Sequence, residues 1–163
     1  MNSNKILSFT TCVLAIVVLA LGTSCGDELD IPDTPLTGKI GGQDWAYEFM
    51  SSYPYGQTPA GDFKHSLRFH SSEDLTNICA TISTKPHLNV IMPVQVGTYS
   101  LPLPVNSETL VFDYGNGTKF QATSGFITIL ARDEFTGKIA GYIQAISDEN
   151  NSVQGRFIAN LCF

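Results

Sequence analysis

From Thr37 onward, apolar residues recur at every second position in short runs cut by turn residues. Trp45, Tyr47 and Phe49 alternate with Ala46 and Glu48; Leu67 and Phe69 alternate with Ser66, Arg68 and His70; Ile78, Ala80 and Ile82 alternate with Cys79, Thr81 and Ser83. Side chains of an extended strand point to opposite faces in turn, so this period predicts strands with one buried and one wet face. No run of helical length keeps the period of about 3.6 residues that an amphipathic helix needs. The chain is thereby committed to an all-β fold, and its 14 glycines and 8 prolines supply the turns such a fold requires.

The turns group the runs into hairpins. Residues 110–114 lead into Gly115-Asn116-Gly117 and the chain resumes at 118–122. An Asn-Gly pair between alternating segments predicts a tight hairpin, because both residues adopt positive φ at low cost. Runs 125–132 and 138–147 flank the turn 133–137, and the loop 148–152 feeds a last strand, 153–163, with Phe157, Ala159, Leu161 and Phe163 on one face. Residues 90–101 are strand-like, but Pro93 lacks a ladder donor and confines its portion to a sheet edge or a bulge. About eight or nine strands with antiparallel connections predict a β-sandwich, with a partly closed, lipocalin-like barrel as the alternative.

Ahead of this domain lies an address. Lys5 is the single basic residue before an uncharged segment whose centre, 13–21, is wholly apolar and which ends in small residues, the pattern of a secretory signal peptide. The junction Gly22-Thr23-Ser24-Cys25 resembles a bacterial lipobox, although Gly22 stands where leucine is usual. The resemblance implies removal of residues 1–24, alkylation of Cys25 by diacylglycerol and acylation of the new N-terminus. An uncleaved signal anchor over residues 6–24 is the alternative. Residues 25–36 then read as a short tether, with four acidic residues and two prolines in GDELDIPDTP. Acidic residues directly behind a lipidated cysteine resemble the surface-export signal of lipoproteins in the phylum Bacteroidota; an ordinary solvated linker has the same composition.

Residues 37–163 are of single-domain length. The net charge of −6 becomes one unit more negative when Lys5 is removed, which argues against a nucleic-acid partner and against a surface that hugs anionic lipid. The hairpin series, with VGTYSL at 96–101 and GRFIANL at 155–161, resembles the small all-β lipoprotein domains of unknown function common in Bacteroidota, and that resemblance brings no catalytic motif with it.

Few residues offer chemistry. Cys12 leaves with the signal and Cys25 takes the lipid, so Cys79 and Cys162 remain as a possible disulfide in an oxidising envelope, or as two separate buried thiols. His65 and His70 are an odd number of positions apart and face opposite ways on a strand; with His87 they read as surface or strand-end residues, and no metal-ligand spacing or cofactor motif is present. There is no G-x-S-x-G nucleophile motif. Glu48, Asp113 and Asp133 are carboxylates without a pattern, and Asp133-Glu134 and Asp148-Glu149-Asn150 lack the spacing of a calcium loop. Tyr53-Pro54-Tyr55-Gly56 reads as a proline-stiffened loop whose two tyrosines either present flat amphipathic faces to a sugar or a protein, or cover the end of the core.

These readings give a non-enzymatic module, lipid-anchored to the outer membrane at the cell surface or in the periplasm, that binds a glycan or another envelope protein. A structural or assembly subunit pairing through the edge at 90–101, and a barrel carrying an apolar ligand, are the alternatives.

Overall fold

Trp45, Tyr47 and Phe49 do not share a strand: the chain changes sheets between them. The computed structural model describes residues 33–71, 84–104 and 109–162. Strands β1 (Thr37–Ile40), β2 (Gln43–Ala46), β6 (Gly97–Ser100), β9 (Ser124–Arg132), β10 (Lys138–Asp148) and β11 (Asn151–Asn160) form one sheet. Its order is β2-β1-β11-β10-β9-β6. Strands β3 (Phe49–Gln57), β4 (Phe63–His70), β5 (His87–Pro93), β7 (Val111–Asp113) and β8 (Lys119–Gln121) form the other, in the order β3-β4-β5-β7-β8. The eleven strands among the described residues, two or three more than the sequence predicts for the whole domain, make an antiparallel β-sandwich and not a closed barrel. The alternating run 78–83 lies outside the described residues.

At the crossover, Tyr47 N–H donates to Leu36 O on one sheet and Glu48 N–H to His70 O on the other, so successive amides belong to different sheets. Residues 90–101 divide in the same way. Strand β5 is an interior strand, but β7 pairs only with His87, Leu88 and Asn89, and Pro93 sits where β4 is the one neighbour and no donor is missed. The chain then crosses at 94–96 to β6, an edge of the six-stranded sheet. Both tight hairpins form as expected, β7 with β8 and β9 with β10, and Asp113 Oδ1 accepts Gly115 N–H at 2.8 Å.

The tether is shorter than its composition predicts. Leu36 is fully buried and its N–H donates to Arg156 O; Arg156 N–H donates to Thr34 O, and Asp33 lies 3.5 Å from the Arg156 guanidinium. Residues 33–36 thus belong to the sandwich. Gly155 permits this approach: its φ is +138°, and a Cβ there would sit 2.3 Å from Pro35 O.

Register places Met50, Leu67, Phe69, Leu88, Val90 and Phe112 on the inner face of the five-stranded sheet. They meet Ile127, Ile143, Val153 and Phe157 of the other, with Phe69 and Phe157 edge to face at 5.0 Å. Each such side chain contributes about 1.5–3 kcal/mol of burial. The strand ends form two poles. At one, Arg132 Nη1 donates to Val94 O and Gln95 Nε2 to Asp62, joining the β9–β10 turn, the β5–β6 crossover and the β3–β4 turn. At the other, Asn151 Nδ2 donates to Tyr114 OH while its Oδ1 accepts Gly41 N–H, joining the β10–β11, β7–β8 and β1–β2 turns, and Trp45 Nε1 donates to Pro86 O ahead of β5.

Candidate functional site

On the outer face of the six-stranded sheet, near the second pole, lies an open hollow of about 820 Å³. Its floor follows from register. Thr37 pairs with Ala46 and Gln154, and Gln154 with Gln144; Lys39 pairs with Asp44 and Ser152, and Ser152 with Ile146. These two neighbouring rows cross four strands, about 14 Å at the usual spacing between strands. Glu149, in the β10–β11 turn, closes one end. Among the described residues, no hydrogen bond or ion pair is made by the side chains of Lys39, Asp44, Gln144, Glu149 and Gln154. Two amides supply donor and acceptor together, Lys39 a cationic donor and the carboxylates acceptors, around a small apolar patch at Ala46 and Ile146. That mixture matches a ligand carrying both hydroxyls and C–H faces. Its members lie up to about 110 positions apart in sequence and reach one floor only through strand pairing.

The outer face of the five-stranded sheet holds a second polar group. Ser51, Ser66, His70, His87 and Asp113 are all buried. His65, on the inner face in register with Leu67 and Phe69, is buried as well. The three histidines are therefore not surface residues, although His70 closes β4 and His87 opens β5, at strand ends as expected, and His65 and His70 do face opposite ways. This sheet carries buried residues on both of its faces; the signal is serine and histidine at positions where a wet face carries lysine and glutamate.

Ser51 Oγ lies 2.9 Å from His70 Nε2, and the His70 and His87 rings stack at 5.4 Å. Burial, with His87 and Arg68 nearby, pushes His70 down to about 4, so its ring is neutral at pH 7. Among the described residues His70 Nδ1 has no hydrogen-bond partner, which favours the proton on Nε2, donated to Ser51. A serine activated for attack needs the reverse, with a carboxylate on Nδ1. Asp113 instead lies 3.8 Å from His87 Nε2 and 3.3 Å from Lys119 Nζ, while His87 Nδ1 donates to Lys85 O at 3.0 Å. Burial, the largest effect, lowers the His87 pKa against the opposing pull of Lys85 O and Asp113. No cluster of histidine, cysteine and carboxylate side chains suited to a metal ion occurs among the described residues.

Tyr53 and Tyr55 are not in a loop. They lie in β3, an edge strand that accommodates Pro54 and shifts register between Pro54 and Gln57 at Gly56, φ +100°. Arg68 Nη2 donates to Tyr53 OH at 2.9 Å and its guanidinium lies 5.2 Å from the ring centre, so Tyr53 is engaged in packing. Tyr55 is exposed, with Lys64 Nζ 6.0 Å from its ring. Both are on the sheet opposite the hollow. Glu48, Asp113 and Asp133 are not brought together: one lies at the sheet crossover, one in the outer row and one in the β9–β10 turn. Asp148 Oδ1 accepts Asn150 N–H and Asn151 Nδ2, turning that carboxylate into its own turn. Cys162 is disulfide-bonded and its N–H donates to Ser52 Oγ at 2.7 Å. Cys25 and Cys79 lie outside the described residues.

Comparison with protein-family models, with curated proteins and with solved structures finds no match to this chain.

Proposed function

We propose that this chain is a non-enzymatic envelope lipoprotein, held on the outer membrane through Cys25, whose sandwich captures a glycan in the hollow over β2, β1, β11 and β10. The supporting observation is the set of five polar side chains there that make no hydrogen bond or ion pair among the described residues. A pair of amides one strand apart, Gln144 and Gln154, suits vicinal hydroxyls, and Ile146 a sugar's apolar edge. An apolar ligand held inside a barrel loses its premise, because the two sheets pack on each other through Phe69, Phe112 and Phe157.

The test is a glycan array probed with the membrane-extracted protein, followed by titration of the best ligand against the double variant Gln144→Ala, Gln154→Ala. Two hydrogen bonds of about 1 kcal/mol each predict a loss of roughly 30-fold in affinity. An array without binders, or a ligand bound equally by the double variant, refutes the reading.

A further inference from the structure

Exposed apolar side chains collect at the pole opposite the hollow. Among the described residues, the four most exposed large hydrophobic side chains are Ile158 at 61%, Phe63 at 63%, Val96 at 66% and Phe135, which is fully exposed. Phe135 lies at the tip of the β9–β10 turn, Val96 in the crossover before β6, Phe63 at the start of β4, and Ile158 two residues from the end of β11. A single exposed hydrophobe is ordinary; the four largest at one end of a sandwich are a surface.

The turn that carries Phe135 is ordered. Asp133 Oδ1 accepts the N–H groups of Phe135 and Thr136 at 2.9 and 3.2 Å, and Oδ2 accepts the Thr136 hydroxyl at 2.8 Å. The ring is held out into solvent by a fixed turn, so little ordering is left to be done on contact.

The chain's path says what lies opposite. Thr37 pairs antiparallel with Gln154, and Pro35 then meets Arg156 in a single parallel bridge; Asp33, Thr34 and Pro35 line a hollow with Leu130, Ala140 and Ile158, at the C-terminal half of β11. There Asn160 pairs with Lys138 at the foot of the β9–β10 turn. Asp33 therefore lies on the half of the six-stranded sheet next to the apolar pole. Cys25 stands eight residues earlier and reaches at most about 29 Å from Asp33 even on a fully extended chain.

We infer that this pole rests on the lipid surface that carries the anchor, with Phe135 entering the interface between headgroups and acyl chains. This inference rests on the lipoprotein reading of Cys25. The chain's net negative charge disfavours a surface that hugs anionic lipid, but at this pole Asp62, Asp133 and Glu134 are matched in number by Lys64, Arg132 and Lys138, so the contact is apolar and meets no local excess of negative charge. Lipid anchors hold best with a second hydrophobic contact, and a fixed exposed phenylalanine supplies one while orienting the domain.

The experiment uses the full chain, processed by the cell and purified from membranes, with its mature N-terminus weighed. It is reconstituted in phosphatidylethanolamine–phosphatidylglycerol vesicles with or without bromine on the acyl chains. Phe135→Trp and, separately, Phe63→Trp report the contact, against the background of buried Trp45 in the unaltered protein. The expected result is an acylated Cys25, with F135W emission shifted to the blue and quenched by brominated lipid while Trp45 emission is not. Acylated protein in which neither variant is quenched overturns the inference and leaves the anchor intact. A blue shift that grows with protein-to-lipid ratio, without quenching, assigns the pole to a second copy of the chain and overturns it too. An unmodified Cys25 overturns the lipoprotein reading and this inference together.

Discussion

Acid should unfold this protein through His70. Its ring is buried between Phe49, stacked at 4.7 Å, and His87, with Arg68 on the same face and Asp113 and Lys119 beyond His87. The folded state holds its pKa near 4, against 6.5 in an unfolded chain, so the unfolded state takes up the proton first. Stability is complete above pH 6.5 and falls as the pH drops from there towards 4. Linkage with these two values gives a loss of about 2 kcal/mol by pH 5 and about 3 kcal/mol by pH 4. His87, whose pKa is also lowered, adds a loss of the same sign. The assay is urea unfolding of the unaltered protein and of His70→Asn at pH 7, 6, 5 and 4.5. The variant should start lower, having lost the contacts of the imidazole, but its midpoint should fall less steeply with pH. Parallel curves for the two proteins would refute the assignment of the acid sensitivity to His70.

Phe157→Ala removes the ring against Phe69 and should cost about 3–5 kcal/mol, read as a lowered denaturation midpoint. Gly155→Ala puts a Cβ against Pro35 O at positive φ and should cost about 1–3 kcal/mol; tryptic cutting after Lys39 should quicken as residues 33–36 come away from β11. Since Cys12 is lost and Cys25 is alkylated in the proposed mature protein, the partner of disulfide-bonded Cys162 is expected to be Cys79. Alkylation should then label neither cysteine before reduction and both after it, and labelling without reductant would dispose of the pairing.

Strands and hairpins were legible because period two and turn chemistry are local. The Asn116-Gly117 and 133–137 turns fall where their residues place them. Sheet membership was not legible: the alternation of Trp45, Tyr47 and Phe49 continues unbroken across a change of sheet, because each sheet buries its own inner residue in step. Pro54 and Gly56 read as a loop since both punctuate strands, yet an edge strand with a register shift accommodates them. The sequence reads His70 and His87 as surface or strand-end residues; they do stand at strand ends but are buried, because a neutral imidazole can be covered when its polar neighbours are too. The hollow had no sequence signal at all. Lys39, Asp44, Gln144 and Gln154 are unremarkable singly and become a site only through the pairing of β1 with both β2 and β11.

The two proposals constrain each other through the length of one strand. Strand β10 runs from Lys138, at the foot of the turn that carries Phe135, to Asp148, beside Glu149 at the rim of the hollow. Its 11 residues span about 34 Å at the usual rise per residue. A sandwich standing on lipid through Phe135 therefore presents Gln144, Gln154 and Glu149 at its far end, facing away from the bilayer. A hollow so placed meets ligands arriving from the solvent side, as a glycan does, and stands clear of the acyl chains. If lipid quenching instead fell on a tryptophan at Ile146 and not at Phe135, the domain would be inverted, and the hollow would have to be read as a site for lipid headgroups.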